Sequence, residues 1–319
     1  MTPPLTQPPR GAARTFMGFP PCTDLDALEA DVAILGIPFG AVYDLAEAAN
    51  DQSNAPAAVR AQSLLASDGL DRWDFDLDGP LFAGREVRVV DCGDVTAALR
   101  DPAAHYARAE AAAQKILARG ALPVVIGGDH GVPIPVFRAF EGRGPLTLVH
   151  IDAHLDWRDE VNGVPDGYSS PIRRASELPW FKRIVQIGMR GQGSAREDEV
   201  RAARDWGAEI VTAHEIHDQG MAAVLSSLPE GGRHYITIDA DGLDPSVMPA
   251  VAAPVPGGLW FHQVRALIHG LAAKGPIVGM DLVEITPARD VNGISSLAAA
   301  RLILNLIGAL ARTGRIGRV

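Results

Sequence analysis

Short apolar runs rich in β-branched residues alternate along the chain with stretches whose apolar positions recur every three or four residues. The runs at 32–37, 87–90, 122–126, 146–151, 183–187, 209–211, 234–238 and 277–280 read as strands. Between and after them, 102–119, 195–206, 220–227, 262–273 and 294–311 read as amphipathic or buried helices. The strands are near-continuously apolar, as strands buried on both faces are. Strand–helix alternation of this kind predicts a three-layer α/β/α domain around an eight-stranded, mostly parallel sheet. A closed (β/α) barrel has the same alternation and stays open as an alternative. A Pro-rich arm over residues 1–30 precedes a single domain over 31–319. The connection 40–55 is long, small-residue-rich and acidic, the kind of loop that forms the mouth of a site.

Composition narrows the field. The 319 residues are 47% hydrophobic, enough for a sizeable core. A formal charge of −10 and the lack of any Lys/Arg cluster argue against a nucleic-acid partner. Two distant cysteines, Cys22 and Cys92, give no disulfide framework and suit a reducing compartment. The arm lacks an apolar signal-peptide core, and the most apolar helical stretch, 297–310, is broken by Arg301 and Asn305. The expectation is a cytoplasmic protein without a membrane partner.

Three segments carry the chemistry. Each is an apolar strand that ends in ligand-type residues: Gly127-Gly128-Asp129-His130, Asp152-Ala153-His154-Leu155-Asp156, and Asp239-Ala240-Asp241-Gly242-Leu243-Asp244-Pro245. In extended chain, residues i, i+2 and i+4 point the same way. Asp152, His154 and Asp156 therefore share a side, as do Asp239 and Asp241. Taken singly, the first segment also reads as a turn with a helix cap, and Asp239 with Asp241 as cap and turn residues. Polar residues directly after a buried strand are costly unless used, and together the segments place four carboxylates and two imidazoles beyond the strand ends, where α/β sheets build their sites. Four clustered carboxylates need counter-charge, which two divalent cations supply. A site of carboxylates and imidazoles suits an ion such as Mn²⁺. Paired metals roughly 3.5–4 Å apart can share a water and lower its pKa.

With these motifs the sequence resembles the ureohydrolase family, which includes arginase, agmatinase and guanidino-acid hydrolases, and is most similar to agmatinase-like members. The residues 31–39, Ile187-Gly188-Met189-Arg190 and Gly279 to Ile285 add to the likeness. The resemblance implies a binuclear centre of two Mn²⁺ per chain, with Ni²⁺ or another divalent ion as the alternative. One ion would be held by His130, Asp152, Asp156 and Asp239, the other by Asp152, His154, Asp239 and Asp241. Asp156 would also take a proton from the attacking water, and Glu284 would face the guanidinium of a small cationic substrate. The implied reaction is hydrolysis of a guanidino C–N bond, in an agmatine-like or guanidino-acid substrate, to urea and an amine, by a homo-oligomer, trimer or hexamer.

The chain departs from the family pattern around the pocket. Tyr168 stands where a proton-shuttling His is typical, and Gly131 where Ser is common. The 40–55 loop lacks the Arg- and Gly-rich stretch of arginase and agmatinase. Hydrolysis of a formimino group, as in formimidoylglutamate, is the competing enzyme reading, and a weakly catalytic or regulatory subunit is the competing reading of another class. Among the remaining residues, His150 is expected to orient Asp152. His214 and His217 are expected at the surface or in the core, Trp157 and Trp260 in the core or at the pocket wall, and Asp244-Pro245 to open a helix.

Overall fold

The computed structural model describes residues 4–9, 14–40, 43, 51–98 and 101–319. Most of the 40–55 connection lies outside the described residues. The strands are β1 (Thr6–Gln7), β2 (Val32–Ile37), β3 (Val89–Val95), β4 (Leu122–Gly127), β5 (Leu146–Ile151), β6 (Phe181–Met189), β7 (Glu209–Thr212), β8 (His234–Asp239) and β9 (Ile277–Val283). They form one sheet in the order β1-β3-β2-β4-β9-β8-β5-β6-β7. All pairings are parallel except that of β1 with β3. The sheet is open, with β1 and β7 at its edges, so the barrel alternative falls. It has nine strands where the pattern predicts eight. The ninth is the two-residue β1 of the N-terminal arm, too short to carry a period.

The helices are α1 (Ala55–Ser63), α2 (Pro102–Ala118), α3 (Pro133–Arg138), α4 (Pro171–Ser176), α5 (Glu197–Trp206), α6 (Ala213–Gln219), α7 (Met221–Ser227), α8 (Phe261–Lys274) and α9 (Ile294–Arg312). Strand alternation divides the core in two. Val124, Ile126, Ile236, Ile238 and Leu282 pack with Val59, Leu267 and Ile303 of α1, α8 and α9. Val125, Leu148, Tyr235 and Val283 pack on the other face with Ala109, Ile116 and Phe137 of α2 and α3. The helix α9 is long and apolar enough to cross a bilayer, contrary to its reading from sequence as too broken, but 78% of its most apolar window is buried inside the molecule. Asp244 opens no helix. Its carboxylate instead accepts from the backbone N–H groups of Ser246, Gly257 and Gly258, pinning a turn.

The run at 87–90 is the least accurate of the predicted strands. β3 continues through Asp91, Cys92, Gly93 and Asp94, a stretch that looks like a turn. It is a buried strand because Arg60 of α1, itself fully buried, neutralises it. Arg60 grips Asp91 with two nitrogens at 2.8 and 2.9 Å and reaches Asp94 at 2.5 Å. Asp91 also accepts the backbone N–H of Phe16 at 2.7 Å, which ties the N-terminal arm to the sheet.

Removing one partner of such a cluster strands the others in the core. Arg60→Ala is expected to cost roughly 3–5 kcal/mol in urea or guanidinium unfolding, and a loss under about 1 kcal/mol would show that the two aspartates do not depend on it.

Candidate metal centre

The strands β4, β9, β8 and β5 are adjacent at the middle of the sheet. After β4 the chain leaves for β5, and β8 and β9 fill the gap between them. This is where an α/β sheet leaves a crevice beyond its carboxyl ends. The register aligns Ile126, Leu282, Ile238 and Ile151 side by side across the four strands. Asp152 and Asp239 come one residue later, Glu284 two and His130 four, so residues far apart in sequence arrive at one level.

The backbone is bent to complete the cluster. Asp156 and Glu284 have φ of 52° and 67°, a left-handed conformation that side chains other than Gly rarely adopt. Such residues persist where surrounding bonds hold them. The carbonyl of Asp156 accepts from Arg173 N, and Glu284 N donates to Gly128 O. Close approach of the strand ends also needs Gly242, whose added Cβ would fall 2.7 Å from Asp152 N.

The buried Nδ1 of His130 lies 3.1 Å from Asp152 Oδ2, 3.0 Å from Asp156 Oδ2 and 3.1 Å from Asp239 Oδ2. It has no hydrogen-bond partner among them. His154 Nδ1 lies 3.3 Å from Asp152 Oδ1 and 3.2 Å from Asp241 Oδ2. Asp152 thus turns one oxygen to each imidazole. Two groups of ligand atoms lie close enough to share an ion: His130, His150, Asp152 and Asp156, and Asp152, His154 and Asp241. Five of the six residues expected as ligands fall in these groups, joined by His150. Asp239 falls in neither group, yet its Oδ2 faces His130, while its Oδ1 accepts from Asp241 N at 2.8 Å.

Neighbouring hydrogen bonds fix these groups. Thr237 donates its hydroxyl proton to Asp281 Oδ1 at 2.6 Å, so its oxygen is left to accept from His130 Nε2 at 3.0 Å. Nδ1 is thereby the nitrogen turned to the three carboxylates; burial opposes protonation of the ring, but Asp152, Asp156 and Asp239 outweigh it and hold His130 well above its ordinary pKa. His150 Nε2 sits 2.8 Å from Asp152 Oδ2, while Gln186 Nε2 lies 3.2 Å from the other ring nitrogen. The expected orienting contact of His150 is present. Thr237, Asp281 and Gln186 escape the sequence reading, although each is a polar residue inside a buried strand, which is itself a signal.

Burial and crowding shape the charge. Burial, then Asp241 and Asp152, push Asp239 well above the usual carboxylate range. Burial and Asp152 raise Asp156 to about 7. Burial and Asp129 raise Glu284 to about 8. Burial opposes ionisation of Asp152 as well, but His150, His130 and His154 hold it well below its ordinary value. Burial also opposes protonation of His154, but Asp152 and Asp241 outweigh it and lift the imidazole to about 12. The cluster holds protons for want of other positive charge. An unpartnered buried nitrogen aimed at three carboxylate oxygens, in a set of only oxygen and nitrogen donors, fits a pair of divalent cations.

Beside the cluster lies a cavity of about 490 Å³, lined among others by Tyr43, Gln52, Arg158, Asn162, Tyr168 and Glu284. Gln52 donates to Glu284 Oε2 at 2.8 Å, and His130 N donates to Oε1 at 2.8 Å. Tyr168 lines the wall with its ring 4.5 Å from that of Tyr43, and the Tyr43 hydroxyl accepts from Ser169 N at 2.9 Å. Tyr43 and Gln52 were legible only as members of the long loop. The space that a side chain at Gly131 would take is filled by Tyr106, whose hydroxyl would lie 2.5 Å from an added Cβ. Trp157 is buried, Trp260 is 45% exposed, and His214 and His217 are on the surface helix α6.

Residues 30–308 match the model of the arginase family. The chain is a member of that family. It is 33% identical over 313 residues to guanidinopropionase of Pseudomonas aeruginosa, covering 94% of this chain and 92% of the relative. It is 33% identical to an agmatinase of Escherichia coli, covering 93% and 92%. Among solved structures, proclavaminate amidino hydrolase of Streptomyces clavuligerus superposes with a TM-score of 0.78 at 28% identity, over 98% of this chain and all of that one. The open sheet with helices on both faces is the arginase-family fold.

A metal ligand must be deprotonated, so cation binding has to expel the protons held by the cluster. Below about 7 Asp156 keeps its proton, and above it the carboxylate is free. Divalent-cation affinity is therefore expected to rise with pH between about 6 and 8, with net proton release. Calorimetry in buffers of different ionisation enthalpy reads this directly, and binding without proton release at pH 6 would contradict it.

Proposed function

We propose that this protein is a hydrolase of linear amidines that cleaves a guanidino C–N bond, releasing urea and an amine. The observation that carries this reading is the convergence of six acidic and imidazole side chains from the ends of three strands, β4, β5 and β8, with the Glu284 carboxylate that follows β9 on the wall of the adjoining cavity. Arginase-family membership and the guanidino-acting names of the relatives support it. We assign one cation to His130, Asp152, Asp156 and Asp239 and a second to Asp152, His154, Asp239 and Asp241, with Mn²⁺ the preferred ion. When bound, the cations supply positive charge that acidifies a shared water.

The chain's own residues do the rest. Glu284, held by Gln52 and His130 N, accepts N–H bonds from the guanidinium and fixes its plane. Asp156 takes a proton from the water that adds to the guanidinium carbon. The bond from that carbon to the substituted nitrogen then breaks as Asp156 returns its proton to that nitrogen, and the amine leaves. Tyr168, at the position of the typical shuttle His, donates a hydrogen bond at the departing nitrogen. A phenol with a pKa near 10 serves better there as a donor than as a shuttle. The unpaired Cys22 and Cys92 suit a cytoplasmic setting. The exposed Leu65, Trp73 and Phe75 offer apolar surface for the homo-oligomer, trimer or hexamer, that we expect.

Urea release from a panel of guanidino compounds by metal-loaded protein tests the activity. Formamide from formimidoylglutamate would favour the formimino reading, and two bound metals without turnover on either class would favour a regulatory subunit. Asp152→Ala and Asp239→Ala are each expected to abolish both metal content and urea release; two tightly held metals in either variant would refute the assignment of these two residues to both cations. Glu284→Gln should lower kcat/KM by about 10²-fold or more while leaving the metal content at two per chain, on the scale of a lost charge-assisted contact to the reacting group. Unchanged kinetics would remove Glu284 from the substrate.

A further inference from the structure

The cavity is lined by side chains of both charges. Asp156, Asp239, Asp241 and Glu284 line one part of it, and Arg158 is the sole Lys or Arg among the described lining residues. Building on the guanidino-hydrolase reading above, we propose that this site selects guanidino compounds whose far end carries a carboxylate, and that Arg158 is the residue that recognises it.

Arg158 is held ready for that role. Its backbone N–H donates to Ser169 O at 3.0 Å. Its Nε lies 3.0 Å from Glu199 Oε1, and its Nη2 donates to Ser194 O at 2.6 Å. The side chain is only 17% exposed. These contacts fix the guanidinium plane from α5 and from the 191–196 turn, and Nη1 makes no hydrogen bond or ion pair with the described residues. A fixed guanidinium with an unused edge is a carboxylate receptor that loses little freedom on binding. Glu199 offsets part of the charge but occupies only the Nε side. Asn162, Gln192 and Ser194 line the same cavity and add neutral hydrogen-bonding groups.

Specificity follows from charge order. A substrate cationic at one end and anionic at the other meets Glu284 with its guanidinium and Arg158 with its carboxylate. A substrate with a second ammonium at the far end, such as agmatine, would set like charges against each other, a cost that discriminates as strongly as a good contact. The rival assignment, a purely structural clamp between the 157–170 loop and α5, makes no distinction between substrates.

Three guanidines of similar length separate these assignments: guanidinobutanoate, butylguanidine and agmatine, ending in carboxylate, methyl and ammonium. With metal-loaded protein, kcat/KM for urea release is expected to favour the carboxylate by roughly 10–100-fold, the worth of a charge-assisted hydrogen bond. Arg158→Gln should remove most of that preference through KM, and Arg158→Lys should restore part of it. Equal loss on all three substrates, or equal or better use of agmatine by the wild type, overturns the proposal. Calorimetry of guanidinobutanoate with metal-free protein gives a second readout. Heat of binding that is present in the wild type and absent in Arg158→Gln upholds the assignment, and binding that is absent in both or equal in both overturns it. If no guanidine yields urea, the hydrolase reading fails, while the calorimetry still judges Arg158.

Discussion

Like charges brought together out of water must find compensation, and the architecture at the centre of this molecule is organised around that requirement. Asp152, Asp156, Asp239 and Asp241 are all buried, at the ends of strands whose register leaves them nowhere else to go. Two imidazoles answer the four carboxylates in part, and retained protons answer the rest. The arrangement is a receptor whose complement is a compact, highly charged group. The same solution is used permanently in the Arg60 cluster, where a guanidinium does the compensating and no ion is called for. The contrast is instructive. Arg60 closes its site with a fixed side chain, whereas the central cluster offers short, rigid donors around a space.

Around the carboxylates lies a layer whose task is orientation. Thr237 and Asp281 decide which nitrogen of His130 is turned to the carboxylates, and Gln186 does the same for His150. Glu284 is held in a strained backbone conformation, by Gln52 on one oxygen and the amide of His130 on the other. The strands supply the rigidity and the loops supply the variation. Arg158, Tyr168 and Tyr43 all stand on loop segments, where a change alters what enters without disturbing the centre.

Much of this was readable from the amino acids. Strands buried on both faces announce themselves as apolar runs, and ligand-type residues at their ends announce a site, so the six convergent side chains and the layer order were legible. Short elements were not. The two-residue β1 has no period, and α3, α4 and α6 each span a turn or two, too few positions for a helical repeat to emerge. β3 was misjudged at Asp91 and Asp94 because their partner, Arg60, lies some thirty residues away and pairing across that distance leaves no local mark. Gln52 and Tyr43 were hidden for a related reason: a loop residue acquires a role only when the fold brings it to the pocket.

The placement of β9 has a consequence for how the molecule comes into being. The strand sits between β4 and β8 in the middle of the sheet, yet it is made from residues 277–283, and α9, which covers it, follows at 294–312. A chain emerging from the ribosome must keep a gap in its sheet, with an apolar face uncovered, until nearly all of it has been synthesised. Such long-range parallel pairing is slow and leaves sticky surface exposed meanwhile. Assembly of this fold is therefore a late, cooperative event, and a nascent chain stopped before β9 holds all six assigned ligands but lacks the strand that brings their two halves together.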